Sequence, residues 1–116
     1  MFDSNHINAA MKEGVAVVAI KCEKVGEYET PIIQTEIAGF LGKQAWKLAL
    51  NFKDVRLLAS VGLGLLVTLH KQCKANKGKL AIFGLDDNLR GLLKMTKLDS
   101  GLCICQDEAA AVKAVG

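Results

Sequence analysis

A serine followed by two glycines is the stretch of this sequence whose residue types could carry out chemistry. Ser60, Gly62 and Gly64 lie in "LLASVGLGLL", between a short apolar run and a segment with helical apolar spacing. Two kinds of phosphate chemistry fit this pattern. The glycines could hold the phosphates of a bound nucleotide, or Ser60 itself could accept a phosphoryl group at the start of a helix.

The nucleotide interpretation depends on the two glycines alone. The dinucleotide-binding fingerprint requires a small residue three positions after the second glycine, where this sequence has Val67. A P-loop requires a lysine after its last glycine, but Gly64 is followed by Leu-Leu-Val-Thr. A nucleotide-binding protein that uses the Gly62 and Gly64 loop is therefore the weaker alternative, and no cofactor is expected.

The acceptor interpretation explains more of the residues. A serine just before a helix is a favoured N-cap, and glycines beside it would let another protein approach the backbone closely. A phosphoryl group there would meet free N–H groups and would add about −1.5 to −2 charges to the surface. No His, Asp or Lys adjoins Ser60 in sequence to act as a base. The pattern thus favours a binding switch, and no enzyme activity is expected.

The cysteines offer a second set of reactive groups. Cys103 and Cys105 would share one face of a strand, where side chains repeat every two residues, so a metal or redox site is one interpretation. The favoured interpretation is that the cysteines are small buried hydrophobes in a reducing compartment, and no metal is expected. The cysteines and histidines are Cys22, Cys73, Cys103, Cys105, His6 and His70.

Length and composition predict one globular domain over residues 1–116, in which 1–12 are flexible or form a short first strand. Hydrophobic residues make up 51% and charged residues 23% of the chain. The formal charge is only +3 without an Arg-rich face, so nucleic acid is not expected as a partner. The polar N-terminus is unlike a signal peptide, and no apolar run is long enough to insert into a membrane. A cytoplasmic location is therefore expected.

Strand patterns alternate with helix patterns along the chain. Residues 14–20, 45–52 and 79–83 have the β-branched or alternating apolar composition of strands, and "LCICQ" is a last short strand. Strands joined by crossover helices predict an α/β domain with a small, mixed, mostly parallel sheet.

Helix starts and ends are marked by capping residues. Thr30 is predicted as the N-cap of a helix with Pro31 at its first position. Val61 is expected on the inner face of the helix after Ser60, and Gly78 is expected to provide a left-handed cap at its end. Asp86 or Asp87 caps a further helix, and "DEAAAVKAV" closes the chain as another.

Several spaced blocks extend over about half of the chain. They are Ser60-Val61-Gly62-Leu63-Gly64, then Lys77-Gly78-Lys79-Leu80, and then Leu89-Arg90 with Leu92-Leu93, Thr96 and Leu98. Together they resemble the STAS domain of bacterial anti-sigma-factor antagonists. The segment "GEYETPIIQTEI" is similar to the family's first motif but shorter, with Glu29 near its usual Asp. The resemblance implies a small sheet whose helices pack mainly on one face.

The resemblance also implies a mechanism called partner switching. The unphosphorylated domain would bind an anti-sigma factor that is also its serine-protein kinase. Phosphorylation of Ser60 would break the complex, and a PP2C-type phosphatase would restore it. The implied docking surface is formed by the residues next to Ser60, by the turn before the first helix, and by the loop before the third. Its residues are Glu29, Thr30, Ala59, Val61, Gly62, Leu63, Gly64, Leu85, Asp86 and Asp87.

Two positions depart from the family pattern. Ala59 replaces the acidic residue that often precedes the serine, and Val61 replaces a second Ser or Thr. Alanine cannot orient the Ser60 hydroxyl as a carboxylate could, although some members of the family also lack that acid. The alternative is therefore a STAS scaffold without a switch, such as an accessory subunit of a transporter or signalling complex.

Overall fold

The computed structural model describes residues 1–116, apart from the side chain of Asp99. The strands are Phe2–Asp3 (β1), Ile7–Lys12 (β2), Val15–Ile20 (β3), Lys24–Val25 (β4), Lys47–Asn51 (β5), Leu57–Leu58 (β6), Lys79–Phe83 (β7) and Cys103–Ile104 (β8). The helices are Glu29–Leu41 (α1), Ser60–Ala75 (α2), Asp87–Met95 (α3) and Glu108–Val115 (α4), with a 3-10 turn at Leu98–Ser100.

The strands form a mixed sheet in the order β1-β2-β3-β5-β7-β8 and a second small sheet of β4 and β6. The pairs β1–β2 and β2–β3 are antiparallel, whereas β3–β5, β5–β7, β7–β8 and β4–β6 are parallel. This confirms the predicted α/β fold with a mostly parallel sheet. The carboxyl ends of β3, β5 and β7 consequently point to the same end of the sheet, and the loops that follow these strands meet there.

The strands β2 and β3 form a hairpin. Its first strand lies within residues 1–12, which the sequence predicts to be flexible or a short strand. Glu13 and Gly14 connect β2 to β3 with φ of 52° and 80°. Two successive residues with positive φ make the tight turn that matches the twist of paired strands. The Glu-Gly pair was the available signal for this hairpin, because glycine adopts positive φ without steric cost.

The core lies on both faces of the sheet and is larger on one of them. The larger cluster contains the buried side chains of α1, α2 and α3, for example Ile33, Leu66 and Leu89. The smaller cluster packs α4 against the other face through Ala111, Val112 and Val115. The helices therefore pack mainly on one face, as predicted.

Two of the predicted helix caps are wrong. The helix α1 begins at Glu29 with Tyr28 at its N-cap. The turn at Gly26 already makes the hydrogen bonds at the start of this helix. The Thr30 hydroxyl donates to the Gly26 carbonyl at 2.7 Å instead of capping the helix. At the end of α2, Lys77 rather than Gly78 has positive φ, at 61°. Gly78 lacks a side chain for another reason, since a Cβ there would overlap the backbone carbonyl of Trp46.

Candidate functional site

Ser60 lies at the exposed start of α2. Ala59, with extended backbone angles of φ −73° and ψ 170°, is the N-cap, so Ser60 is the first helical residue and does not take the N-cap position that serines favour. Among the described residues, no side chain caps this helix. The Ser60 hydroxyl is therefore presented to solvent at the beginning of the helix and is not used to hold the fold.

The small sheet of β4 and β6 positions the serine. Leu58 on β6 pairs with Val25 on β4, and the Ala59 amide donates to the Val25 carbonyl at 3.0 Å. The Leu57 amide donates to the Glu23 backbone carbonyl at 2.9 Å just before this pairing. These backbone bonds fix the chain up to the residue before Ser60, so the start of α2 is rigidly placed beside the β4–α1 turn.

The first turn of α2 is an electropositive site. The Leu63 amide donates to the Ala59 carbonyl at 3.0 Å as the first bond of the helix. The amides of residues 60–62 precede that bond and have no carbonyl partner within the helix. In the described structure, no acidic residue lies in this turn, and the dipole of a 16-residue helix adds positive potential. An anionic group on Ser60 would be stabilised there.

The two glycines of the motif have different surroundings. Gly62 is buried, and a Cβ there would lie 2.6 Å from Leu58 Cδ1 and 2.9 Å from the Val25 carbonyl oxygen. It thus allows α2 to pack on the small sheet, and its role in letting a partner approach the backbone stays a prediction. Gly64 is exposed, and a Cβ there would meet nothing within 4 Å. Gly64 and half-buried Leu63 stay in the predicted surface.

A groove of about 400 Å³ joins the turn before α1 to the residue before Ser60. Its residues are Lys24, Gly26, Glu27, Tyr28, Glu29 and Ala59. Glu29 and Ala59, both residues of the predicted docking surface, therefore line the same groove. The Glu29 carboxylate accepts a hydrogen bond from the Gly26 amide at 2.9 Å, and the hydroxyl of half-buried Thr30 donates to the Gly26 carbonyl, so both residues are held in the turn.

The third predicted segment, Leu85–Asp87, follows β7 at the end of the sheet where the carboxyl ends of the parallel strands lie. A Cβ at Gly84, which has φ of +78°, would lie 2.9 Å from Asn51 Oδ1, so the loop is packed on the chain that leaves β5. Leu85 is only 7% exposed and belongs to the core, and its contact with a partner stays a prediction. Asp86 Oδ1 accepts from the Leu89 amide at 2.8 Å and caps α3, and Asp87 is exposed.

Replacing Asp86 with alanine tests whether this residue is structural. We expect the free energy of unfolding to fall by about 1 kcal/mol because the α3 cap is lost, whereas asparagine should retain most of the stability. Denaturant titration of the two variants gives the comparison. Equal loss in both variants would contradict the capping role, since the amide oxygen of asparagine also accepts the Leu89 N–H bond.

Two exposed apolar side chains near the start of α2 are absent from the predicted docking surface. Tyr28 is 71% exposed and Leu57 is 62% exposed. Val61, predicted on the inner face of α2, is instead 40% exposed, because Gly62 rather than Val61 faces the small sheet. A lone tyrosine in the polar run "GEYE" was the available signal, since large apolar side chains left in water mark contact surfaces.

The reactive groups elsewhere do not form a metal centre. Within the part of the chain that the structure describes, no group of three or more His, Cys, Asp or Glu side chains could hold a metal ion. No helix among the described residues is long and apolar enough to cross a membrane.

Comparison with solved structures shows the same fold in proteins of low sequence identity. An anti-sigma-factor antagonist (STAS) domain protein from Planctomyces limnophilus matches with a TM-score of 0.82 and 21% identity, over 94% of this chain and 97% of that chain. An anti-sigma factor antagonist from Mycobacterium paratuberculosis matches with a TM-score of 0.82 and 19% identity, over 94% and 92%. The phosphorylated form of the Bacillus cell fate determinant SpoIIAA matches with a TM-score of 0.67 and 17% identity, over 93% and 98%.

Comparison with sequence families is more specific. A search of the curated proteins gave no match. The family model described as "STAS domain" matches residues 4–111, which include the Ser60 motif, the β4–α1 turn and the loop before α3. With the fold and the motif in agreement, the chain belongs to the STAS domain family.

Proposed function

We propose that this chain is a phosphorylation-controlled protein-binding module that acts as an anti-sigma-factor antagonist. The observation that carries the proposal is the position of Ser60. It is exposed at the first turn of α2, the chain just before it is held by the pairing of β4 with β6, and a groove and exposed apolar side chains lie on its flanks. A modified Ser60 would therefore change a binding surface without disturbing the core.

The unphosphorylated surface is suited to a protein partner. Tyr28, Leu57 and Val61 offer apolar area, and Glu29 with Asp87 offers charge at the rim. Burial of aromatic and aliphatic anchors within a polar rim is how protein interfaces gain affinity. The partner in this proposal is an anti-sigma factor that is also a serine-protein kinase.

Phosphorylation would reverse the binding. A phosphate on Ser60 carries about −1.5 to −2 charges, which the free amides of the first turn of α2 would stabilise on the folded domain. The same charge would have to be desolvated under a docked partner, which costs several kcal/mol if it is unpaired. A PP2C-type phosphatase would restore binding. The related structures support this cycle, because one of them is described as a phosphorylated form.

Two experiments on native cells distinguish this proposal from a scaffold role, which Ala59 in place of an acid would suit. The tagged chain is used to capture its partner, and phosphosites on the captured chain are mapped. We expect a kinase-like partner and phosphate on Ser60, with Ser60→Ala as the matched control that loses the phosphosite and keeps the partner. A stable partner with no phosphate at residue 60 would favour the scaffold.

A nucleotide would not be bound by the isolated domain. Gly62 packs against Leu58 and so cannot line a phosphate cradle with Gly64. We expect ATP, GTP or NAD at millimolar concentration to leave the melting temperature unchanged. A ligand at about 100 times its Kd would add about 2.7 kcal/mol of stability, which is roughly ten degrees for a domain of this size. A shift of that size would replace the acceptor role with a nucleotide site.

A further inference from the structure

A pair of thiols on the far edge of the sheet is not used by the proposed switch. Cys103 Sγ and Cys105 Sγ lie 3.8 Å apart, on and just after β8, the edge strand next to β7. Both side chains are half-buried and lie at the border of the cluster beneath α4. We propose that Cys103 and Cys105 form a reversible disulfide when the protein meets a peroxide.

The backbone geometry allows this bond. Residues two apart on an extended chain have Cα atoms about 6.6 Å apart, within the roughly 4.4–6.8 Å that disulfides span. The sulfur atoms already lie on the same side of the chain, so bond formation needs a local pucker rather than a rearrangement. A span near the upper limit gives a strained bond, and strained disulfides are the readily reduced ones.

The position of β8 at the edge of the sheet keeps the free energy needed for this pucker small. The strand β8 has only two residues and pairs on one side, with β7. The Cys105 amide donates to the Ile82 carbonyl at 2.7 Å, and a neutral hydrogen bond contributes about 1 kcal/mol. The pucker therefore breaks little backbone pairing, and its main constraint is Ile104, which lies between the two cysteines and packs against the larger core cluster.

The two thiols have distinct roles in the reaction. Cys103 lines an open groove of about 530 Å³ with Arg90 and Lys94, through which a peroxide reaches its sulfur. Burial raises the pKa of the Cys105 thiol, and the hydrogen bond between this thiol and Cys103 raises the pKa further. Cys103 is therefore the thiol that attacks peroxide, and Cys105 is the one that resolves the product.

The chemistry balances with hydrogen peroxide as the oxidant. The Cys103 thiolate attacks one peroxide oxygen, the O–O bond breaks, and the hydroxide that leaves takes a proton to become water. Cys105 then loses its proton and attacks the sulfur of the Cys103 sulfenic acid. The S–S bond forms as the S–O bond breaks, and the second water leaves. Peroxide is reduced by two electrons, and the two thiols are oxidised by two.

The other cysteines serve as internal controls. Cys73 is fully buried, and burial raises the pKa of its thiol to about 12, so it should not react. Cys22 is half-buried, burial raises its pKa, and its Sγ lies 3.9 Å from the His6 carbonyl oxygen. Trypsin places Cys22 in peptide 22–24, Cys73 in peptide 72–74, and both Cys103 and Cys105 in peptide 98–113.

The test is peptide mass spectrometry of the folded full chain after mild peroxide treatment and blocking of free thiols. We expect peptide 98–113 to lose two hydrogen atoms and to escape blocking, so that free thiols fall from four to two. A dithiol reductant should restore all of them. The Cys105→Ser variant should stop at a sulfenic acid on Cys103, and Cys22→Ser should behave as the unmodified chain does.

Three results would overturn the proposal. The first is full blocking of both thiols in peptide 98–113 after other cysteines are oxidised. The second is a disulfide between two chains in place of the one within the peptide. The third is oxidation of Cys103→Ser at the rate of the unmodified chain, which would remove Cys103 as the attacking thiol. A circular dichroism spectrum shows that each variant is folded before it is scored.

Discussion

Replacing Ser60 with aspartate is expected to weaken partner binding by at least a hundredfold, whereas alanine should leave it nearly intact. The reason is the position of residue 60, which is exposed beside the apolar side chains Leu57 and Val61. A carboxylate there must lose water under the docked partner, and an unpaired interface charge costs several kcal/mol. Removing the hydroxyl deletes only a group that does not hold the fold.

The measurement is a binding titration with the captured partner, accompanied by thermal melting of each variant. Aspartate should not harm stability, because a negative charge at the first turn of a helix is favourable. Ser60→Asn is the matched control, since it has nearly the size of aspartate without the charge. Equal affinity for the aspartate and asparagine variants would show that charge at residue 60 does not regulate binding.

Replacing Gly62 with valine is expected to destabilise the fold by about 3 kcal/mol or more, the upper range for overpacking. Even a Cβ would lie 2.9 Å from the Val25 carbonyl oxygen. That atom accepts the Ala59 amide and cannot move without breaking the strand pair that places Ser60. Alanine at 62 should have a smaller effect of the same sign, because Leu58 Cδ1 is the end of a flexible side chain.

Gly64 is the matched control for this prediction. A Cβ there meets nothing within 4 Å, and alanine is favoured over glycine in a helix by about 1 kcal/mol. Gly64→Ala should therefore raise the melting temperature while Gly62→Val lowers it by roughly ten degrees. Chemical denaturation of both variants checks the order. Equal stability of the two would contradict the distinct surroundings of the glycines.

Much of the fold was predictable because its longer strands and helices follow local patterns of apolar spacing and capping residues. The strand at 79–83, the Asp86 cap and the helix after Ser60 follow from apolar spacing and capping residues. The short strands β4 and β6 were not predictable, because two residues carry no periodic signal. They are held by pairing with each other, which is a contact between distant parts of the chain.

The candidate site was predictable in outline and less so in its details. The motif indicated Ser60 and the turn at Glu29, and the structure places Glu29 on one groove with Ala59, the residue before Ser60. The motif could not show that Gly62 and Leu85 are buried. A glycine needed for close packing and one left open for a partner look identical in sequence. The exposure of Tyr28 and Leu57 could not be predicted, because it depends on whether distant parts of the chain pack against these side chains in the fold.

The most direct test of the switch uses the phosphoryl group itself. The chain and its captured kinase partner are incubated with ATP, and native mass spectrometry follows the complex and the phosphate on Ser60 together. We predict that the complex disappears in step with phosphorylation of Ser60 and that Ser60→Ala remains bound throughout. A complex that persists when Ser60 is fully phosphorylated would contradict the switch.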